Sequence, residues 1–315
     1  MKPFDTHICI VSGEPLPNFL PAISAEIGRE RVVMLVSPTM NEKADALESA
    51  LKRKNRSVIR HPIDDKSNLP LFRSQIQQVL ADHPNSALNA TGGLKTMSII
   101  AYEVFRSADR PVFYSERDNR IIWLNPVDTE QQRLPGILGI DDYFSAFGQT
   151  FKHIHRKPLA DDGGDAMLKN LHTLPKAKEG DHDRVGEKFE SLVFRAASKA
   201  LAALPAAGTQ EIAWGVRTIG EIEDEFDVVI VRNNTLSLVE CKNSSSTAGF
   251  NDFINKLDSL RRKRGITARA ALITTAHVAK DGGNAKRAAD NRITLLDDSD
   301  LPALTEKLKL WLYRV

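Results

Sequence analysis

EFDVVIVRNNTLSLVECKN, residues 225–243, is the stretch whose reading decides the C-terminal half of the chain. Two β-branched, apolar runs flank Arg232-Asn233-Asn234-Thr235, the pattern of a β-hairpin. Asparagine tolerates positive φ, so Asn233-Asn234 can occupy both central positions of a type I′ turn. That turn sets the register: Arg232 faces Thr235, Val229 faces Leu238, and Asp227 faces Glu240. Directly opposed residues have Cβ atoms roughly 4.5–5.5 Å apart. Two carboxylates side by side repel unless something positive lies near, and Lys242, two residues beyond Glu240, projects from the same face. Two carboxylates and an amine on one spot describe a divalent-metal site with a charged helper.

Outward from the hairpin, the C-terminal half reads as a mixed α/β domain. Arg184–Leu204 is an amphipathic helix with Phe189, Leu192, Val193, Ala196, Ala200 and Leu204 on one side. Glu190 sits at the border of that face, either at the rim of the core or directed into a site. A strand at Glu211–Val216 precedes the hairpin. After it come a helix at Phe250–Lys263, strands at Ala270–Thr274 and Arg292–Leu296, and a last helix at Asp300–Leu312. Lys256, Arg261, Arg262, Lys263 and Arg264 form a basic group suited to nucleic-acid phosphates.

The N-terminal half alternates strands and helices. Strands are expected at His7–Val11, Val32–Ser37, Val58–Arg60, Ala87–Ala90, Val112–Ser115 and Ile121–Leu124, with helices at Asn41–Lys54, Leu71–Asp82 and Lys95–Ser107. This order implies a parallel, doubly wound sheet whose last two strands close as a hairpin. Ligands of such sheets bind beyond the carboxyl ends of the strands. Here those ends are Ser12-Gly13-Glu14, Ser37-Pro38-Thr39 and Asn89-Ala90-Thr91-Gly92-Gly93. The third leads through Leu94 into a helix starting at Lys95-Thr96, and a helix N-terminus favours an anion such as phosphate. Neither a Walker A loop nor G-x-G-x-x-G is present. The competing reading is a turn that needs glycine for its geometry alone.

Composition narrows the rest. The chain has 315 residues, enough for two domains. Its 43 Lys+Arg nearly balance 41 Asp+Glu, so any basic surface is local. Two cysteines, Cys9 and Cys241, exclude a disulfide framework and a Cys-rich zinc module. No signal peptide or apolar run of membrane-spanning length is apparent, so a cytoplasmic protein without membrane association is expected. Leu138–Phe147 is expected to finish the first domain as a helix or pack in a dimer. His153 and His155 form an H-x-H pair in a polar stretch without other ligands at metal spacing, and read as solvated linker histidines, with His172 and His182 beyond. The domains are then 1–150, a linker at 151–182, and 183–315.

Two resemblances follow. NATGGLKTM, residues 89–97, is similar to the T-G-G-T-K motif of CARF domains, the Rossmann-like sensors of CRISPR-linked cyclic oligoadenylates, and Ser12–Asn18 resembles their first loop. The likeness implies activator contacts at Ser12, Asn18, Thr39, Thr91, Gly92, Gly93, Lys95 and Thr96. Leu94 stands where relatives often carry threonine. In the second half, helix-strand-strand-strand-helix-strand resembles the core of PD-(D/E)xK nucleases, with Asp227, Glu240 and Lys242 at the D…(D/E)-x-K positions and Glu190 on the first helix. That likeness implies Mn²⁺ or Mg²⁺ held by Asp227, Glu240 and the main-chain carbonyl of Cys241, with Lys242 acting on the attacking water or the developing charge. Together the halves resemble CRISPR ancillary nucleases that join a CARF sensor to a PD-(D/E)xK effector. The implied protein is a homodimer that binds cyclic oligoadenylate, expected to be the tetra-adenylate, and cuts a nucleic-acid substrate. The competing expectations are an ungated repair or restriction-type nuclease, and a sensor or ring nuclease without turnover of nucleic acid.

Overall fold

The computed structural model describes residues 4–64, 68–153, 182–206, 208–220, 223–244 and 246–313. The chain divides into two compact units. One is Met1–Ile137 with Asp142–Gln149; the other is Leu138–Asp141 with Thr150–Val315.

In the first unit a seven-stranded sheet runs in the order β3-β2-β1-β4-β5-β6-β7. Its strands are β1 (Thr6–Ile10), β2 (Arg31–Val36), β3 (Ser57–Pro62), β4 (Ser86–Asn89), β5 (Val112–Ser115), β6 (Arg120–Asn125) and β7 (Gln132–Arg133). The first five are mutually parallel, and β6 returns antiparallel to β5 as the expected closing hairpin. Helices α1 (Leu16–Ile23), α2 (Asn41–Arg53), α3 (Leu69–Asp82) and α4 (Lys95–Ser107) connect them. Phe72, Ile76 and Val79 of α3 and Met97, Ala101 and Phe105 of α4 pack with Ile8, Ile10, Val33 and Leu35 in one buried cluster. The chain leaves β1 toward β2 and β3, but leaves β4 toward β5 and β6. The β1–β4 boundary is therefore the topological switch point, where such sheets hold ligands.

Helix α1 falls inside the loop expected after β1. Its prolines obscured it: Pro17 lies in the first turn, where a missing N–H is harmless, but Pro21 is interior. The backbone N–H that Pro21 lacks would have served the carbonyl of Pro17. The side-chain amide of Asn89 donates to that carbonyl instead, at 2.7 Å. Asn89 also donates to Asn18 Oδ1 at 3.3 Å and accepts from the Thr91 amide and hydroxyl at 3.1 and 2.6 Å. One buried side chain thus ties the end of β4 to the helix that follows β1.

The second unit holds a six-stranded sheet in the order β13-β12-β11-β10-β9-β8. Its strands are β8 (Thr150–His153), β9 (Gln210–Ile219), β10 (Glu225–Arg232), β11 (Thr235–Lys242), β12 (Arg269–Thr274) and β13 (Ile293–Leu296). Strands β8 to β11 form antiparallel pairs, whereas β11, β12 and β13 are parallel. Helix α6 (His182–Ala202) and the final helix α9 (Leu304–Tyr313) pack on one face, where Phe189, Val193, Leu308 and Leu312 meet Val228, Ile230, Val239 and Cys241. Helices α7 (Phe250–Arg262) and α8 (Gly283–Asp290) complete the unit.

The region between the domains differs from expectation at its edges. Residues 150–153 form edge strand β8 rather than linker, which places His153, exposed, on the second sheet. His155 and His172 lie outside the described residues, as does the side chain of His182. Helix α5 is shorter than expected, Ile140–Ala146. Its start belongs to the second unit: the Ile140 amide donates to Glu211 Oε2 at 2.7 Å, and the Leu138 amide to Asn234 Oδ1 at 3.0 Å.

Replacing Asn89 by alanine removes the donor for Pro17 and the acceptor for Thr91 at once. We expect a loss of about 2–3 kcal/mol in the first unit, since buried groups are left unpaired. Hydrogen-exchange mass spectrometry on the β1 and β4 peptides measures it, and unchanged protection there would contradict the bracing role.

Candidate functional site

The hairpin adopts the register that its sequence dictates. Asn233 and Asn234 have φ of 48° and 58°, as a type I′ turn requires. Paired positions run from Arg232–Thr235 to Val228–Val239. The paired ladder ends there; the same register carried one step outward sets Asp227 opposite Glu240, and at this position the regular pairing gives way. The Cys241 amide donates to Asp227 Oδ2 at 2.6 Å, so a carboxylate oxygen takes the place of a main-chain acceptor. On the other side of β10 the pairing with β9 skips Asp227, and the residue that would oppose it, Gly215, has φ of 59°. Left-handed backbone inside a strand needs glycine. Asp227 therefore sits at a local break in both ladders, with one carboxylate oxygen fixed and the other left over.

The electrostatics of this spot are unfavourable for an acid. Burial raises the Asp227 pKa well above the ordinary carboxylate value, and the charges of Glu240 and Glu190 raise it further; the Cys241 amide and Lys242 oppose the shift. Glu240 is buried, and its Oε1 lies 2.8 Å from Lys242 Nζ. Burial pulls the Lys242 ammonium toward deprotonation, but Glu240 and Asp227 outweigh it and hold its pKa above normal. Burial, with the same three carboxylates, also raises the Cys241 thiol. Its sulfur stays protonated and is a poor ligand.

Glu190 comes from α6, and its Oε2 receives the indole N–H of Trp214 on β9 at 3.4 Å. Lys242 Nζ also lies 4.4 Å from the ring centroid of Phe253 on α7. Trp214, Gly215 and Phe253 were not foreseen as part of this site. A glycine inside the Glu211–Val216 strand pattern was the one available signal, because it marks a bulge or close approach. Among the described residues, the one group of three potential ligand atoms within 4.8 Å of one another is elsewhere, at His277, Asp297 and Asp298. There the Asp297 carboxylate already accepts from the amides of Val278 and Ser299 and from the Ser299 hydroxyl, which makes it a loop brace.

The basic group behind the hairpin needs correction. Arg264 is buried, pairs with Asp224 at 3.0 Å and lies over the Phe226 ring. Arg261 is buried and bonds Asp258 at 2.6 Å, while Arg262 takes the other oxygen of the same carboxylate. Lys263 lies 3.7 Å from Asp224. Arg264 ties the end of α7 to the start of β10, Arg261 is held within α7, and both are too buried to serve as a phosphate-binding surface. Lys256 and Arg262 are exposed.

At the switch point of the first unit, the expected contacts divide into two groups. Asn18 is buried and donates to the Ile10 carbonyl at 2.8 Å, so it braces the fold. The Thr91 hydroxyl accepts from the Ser115 amide at 2.8 Å, besides its bond to Asn89. A Cβ on Gly92 would lie 2.0 Å from the Ile10 carbonyl oxygen, and one on Gly93, at φ 81°, 2.6 Å from the Ile10 side chain. Close packing on β1 demands the Gly-Gly pair. Lys95 and Thr96 are exposed at the start of α4, which no side chain caps. Thr39 is exposed beside Ser37, and Ser12, half-buried, donates to the Glu14 carbonyl.

Comparison with known proteins agrees with both halves. Residues 6–143 match the family model of the Card1 CARF domain, and residues 186–315 that of the Card1-like endonuclease domain. No curated protein matches the chain. Among solved structures, protein VC1899 from Vibrio cholerae superposes with a TM-score of 0.81 at 22% identity, covering 98% of each chain. Can2 from Sulfobacillus thermosulfidooxidans, solved in complex with cyclic tetra-adenylate, gives 0.78 at 22% identity over 97% of each chain. A type III CRISPR defence DNA nuclease activated by cyclic oligoadenylate gives 0.68 at 19% identity, over 88% of this chain and 46% of that one. Among the described residues no helix is long and apolar enough to cross a membrane. Each half having its own match, the chain belongs to the family that joins a Card1 CARF domain to a Card1-like endonuclease domain.

Proposed function

We propose that this protein is a cyclic oligoadenylate-activated, divalent-metal-dependent nuclease of type III CRISPR defence, acting as a homodimer. The observation that carries the reading is Asp227: a carboxylate anchored where two ladders break, opposite buried Glu240, with the Lys242 ammonium 2.8 Å from the latter. This is the D…E-x-K set of PD-(D/E)xK nucleases, in a chain whose other half is a CARF domain. The fold shared with Can2, solved with cyclic tetra-adenylate, supports that activator class.

The residues suit a hard cation. Three carboxylates repel one another around Asp227, and a divalent ion would relieve that repulsion. Asp227, Glu240 and the Cys241 carbonyl would hold Mg²⁺ or Mn²⁺, which when bound supplies phosphate polarisation and a more acidic water. The chain does the rest. The Cys241 amide aims Asp227, and the Trp214 indole restrains Glu190 at the margin. Lys242, charged beside Glu240 in the metal-free chain, is placed to donate to the scissile phosphate or the attacking water.

In the CARF domain, Lys95, Thr96 and the uncapped start of α4 are the groups free to meet activator phosphates. Ser12 and Thr39 border the same end of the sheet. A ligand with rotational symmetry matches a C₂ pair of such domains. Activation then requires tighter binding to the cutting-competent state.

Glu240→Ala and Lys242→Ala should each lower cleavage of labelled single strands or plasmid, with Mn²⁺ and cyclic tetra-adenylate, by about 100-fold or more. Lys95→Ala should raise the activator concentration needed while leaving the saturated rate near wild type. Wild-type cutting by Glu240→Ala would place the chemistry elsewhere, and cutting without activator would remove the gate.

The Asp227 shift gives a pH test. Its folded pKa lies above its unfolded value, so ionising it penalises the metal-free fold at neutral and higher pH. That penalty vanishes as pH falls below the unfolded carboxylate pKa. Asp227→Asn should therefore raise the unfolding temperature of EDTA-treated protein at pH about 8, with the gain shrinking toward pH about 4. Mn²⁺ should stabilise wild type and not the variant; equal stabilisation of both would exclude Asp227 as a ligand.

A further inference from the structure

The Lys242 ammonium touches two partners of different kinds. Glu240 Oε1, on its own strand, is 2.8 Å away. The ring of Phe253, on α7, lies with its centroid 4.4 Å from Nζ. A lysine head on a four-carbon stem has many rotamers, and one ion pair on its own strand constrains it weakly. A second contact from another element fixes the direction of the stem as well.

The two partners respond differently to what the site is proposed to hold. Glu240 is a proposed metal ligand, so its negative charge would be shared between ion and ammonium. An aromatic face attracts a cation through its quadrupole and offers no atom to a divalent metal. Of the two contacts, the ring is the one that a metal leaves intact.

The ring is itself held. Phe253 packs edge-on against buried Phe250, with centroids 6.4 Å apart and planes at 77°. It lies one turn from Gly249, which has φ of 75° and whose added Cβ would meet Phe253 Cε2 at an ordinary 3.9 Å. The ring is thus bordered by the helix start and by Phe250, and the Lys242 ammonium lies over it.

We infer that Phe253 is a positioning residue for Lys242, keeping the ammonium aimed at the reacting phosphate by a cation–π contact. This rests on the nuclease reading of the hairpin. In this role Phe253 acts through the lysine.

The test uses the full chain with Phe253→Leu, Phe253→Tyr, and mono-, di- and trifluorophenylalanine at position 253, which weaken the ring quadrupole with little change of shape. With Mn²⁺ and cyclic tetra-adenylate, Phe253→Leu should lower kcat roughly three- to tenfold, from the size of such contacts, and Phe253→Tyr should preserve it. The fluorinated proteins should fall progressively between, with KM within about twofold. In metal-free protein, the Lys242 ε-methylene protons should show a ring-current upfield shift that Phe253→Leu abolishes, with Lys242→Arg giving the assignment. A flat kcat across the fluorine series, or ε-methylene protons without the shift, overturns the inference. Lys242→Ala separates the two levels. If it cuts normally, the hairpin reading itself fails; if it is dead while the fluorine series is flat, only the role of Phe253 fails. Should Phe253→Leu unfold, the fluorinated series and the wild-type shift still decide.

Discussion

A carboxylate out of water, facing two others, is the constraint around which the nuclease half is arranged. Asp227 is costly in the folded chain: burial and the charges of Glu240 and Glu190 all disfavour its ionised form. Several features are intelligible as responses to that cost. The Cys241 amide leaves the ladder to serve the carboxylate, Gly215 adopts left-handed backbone beside it, and Lys242 balances its neighbour. On the opposite face of the hairpin, Val228, Ile230, Val239 and Cys241 lock β10 and β11 onto α6 and α9, so the charges cannot simply drift apart. Stability given up at a site and recovered in the adjoining core is the usual signature of function.

The sensor half solves a different problem. Most polar groups at its strand ends are already engaged within the protein, with Asn89, Asn18 and Thr91 joining β1, α1, β4 and β5 into one rigid rim. Lys95 and Thr96, by contrast, are exposed at the start of α4. An uncapped helix start of this kind presents free backbone N–H groups and a positive dipole end.

The hairpin register was legible because three local signals agreed: alternation, the Asn-Asn turn, and β-branched composition. The parallel sheet was legible from strand-helix alternation. What stayed hidden depended on partners distant in sequence. Arg261 and Arg264 look like surface charge until Asp258 and Asp224 are seen to neutralise them. Helix α1 was obscured by Pro17 and Pro21, since the donor that compensates Pro21 is Asn89, far along the chain. The Gly92-Gly93 pair suggested ligand approach; that the side and main chain of Ile10 also demand glycine there is visible only in the packing. Trp214 and Phe253 carried no chemical signal of their own; only tertiary packing brings them to Glu190 and Lys242.

The turn that sets the register has a second attachment. Asn234 accepts from the Leu138 amide, and Glu211 accepts from Ile140 two residues on. Residues 138–141 are thus a short strip of the nuclease unit embedded in sequence that otherwise belongs to the sensor. The boundary is interleaved, so no single cut yields two intact pieces. A nuclease fragment beginning at Thr150 would lose the strip that occupies the Asn234 amide and the Glu211 carboxylate. One beginning at Leu138 would keep it at the expense of the Asp142–Gln149 tail of the sensor. Dissection of the protein into its halves is best done by co-expressing overlapping fragments, and modular swapping of effectors onto sensors must carry this strip along.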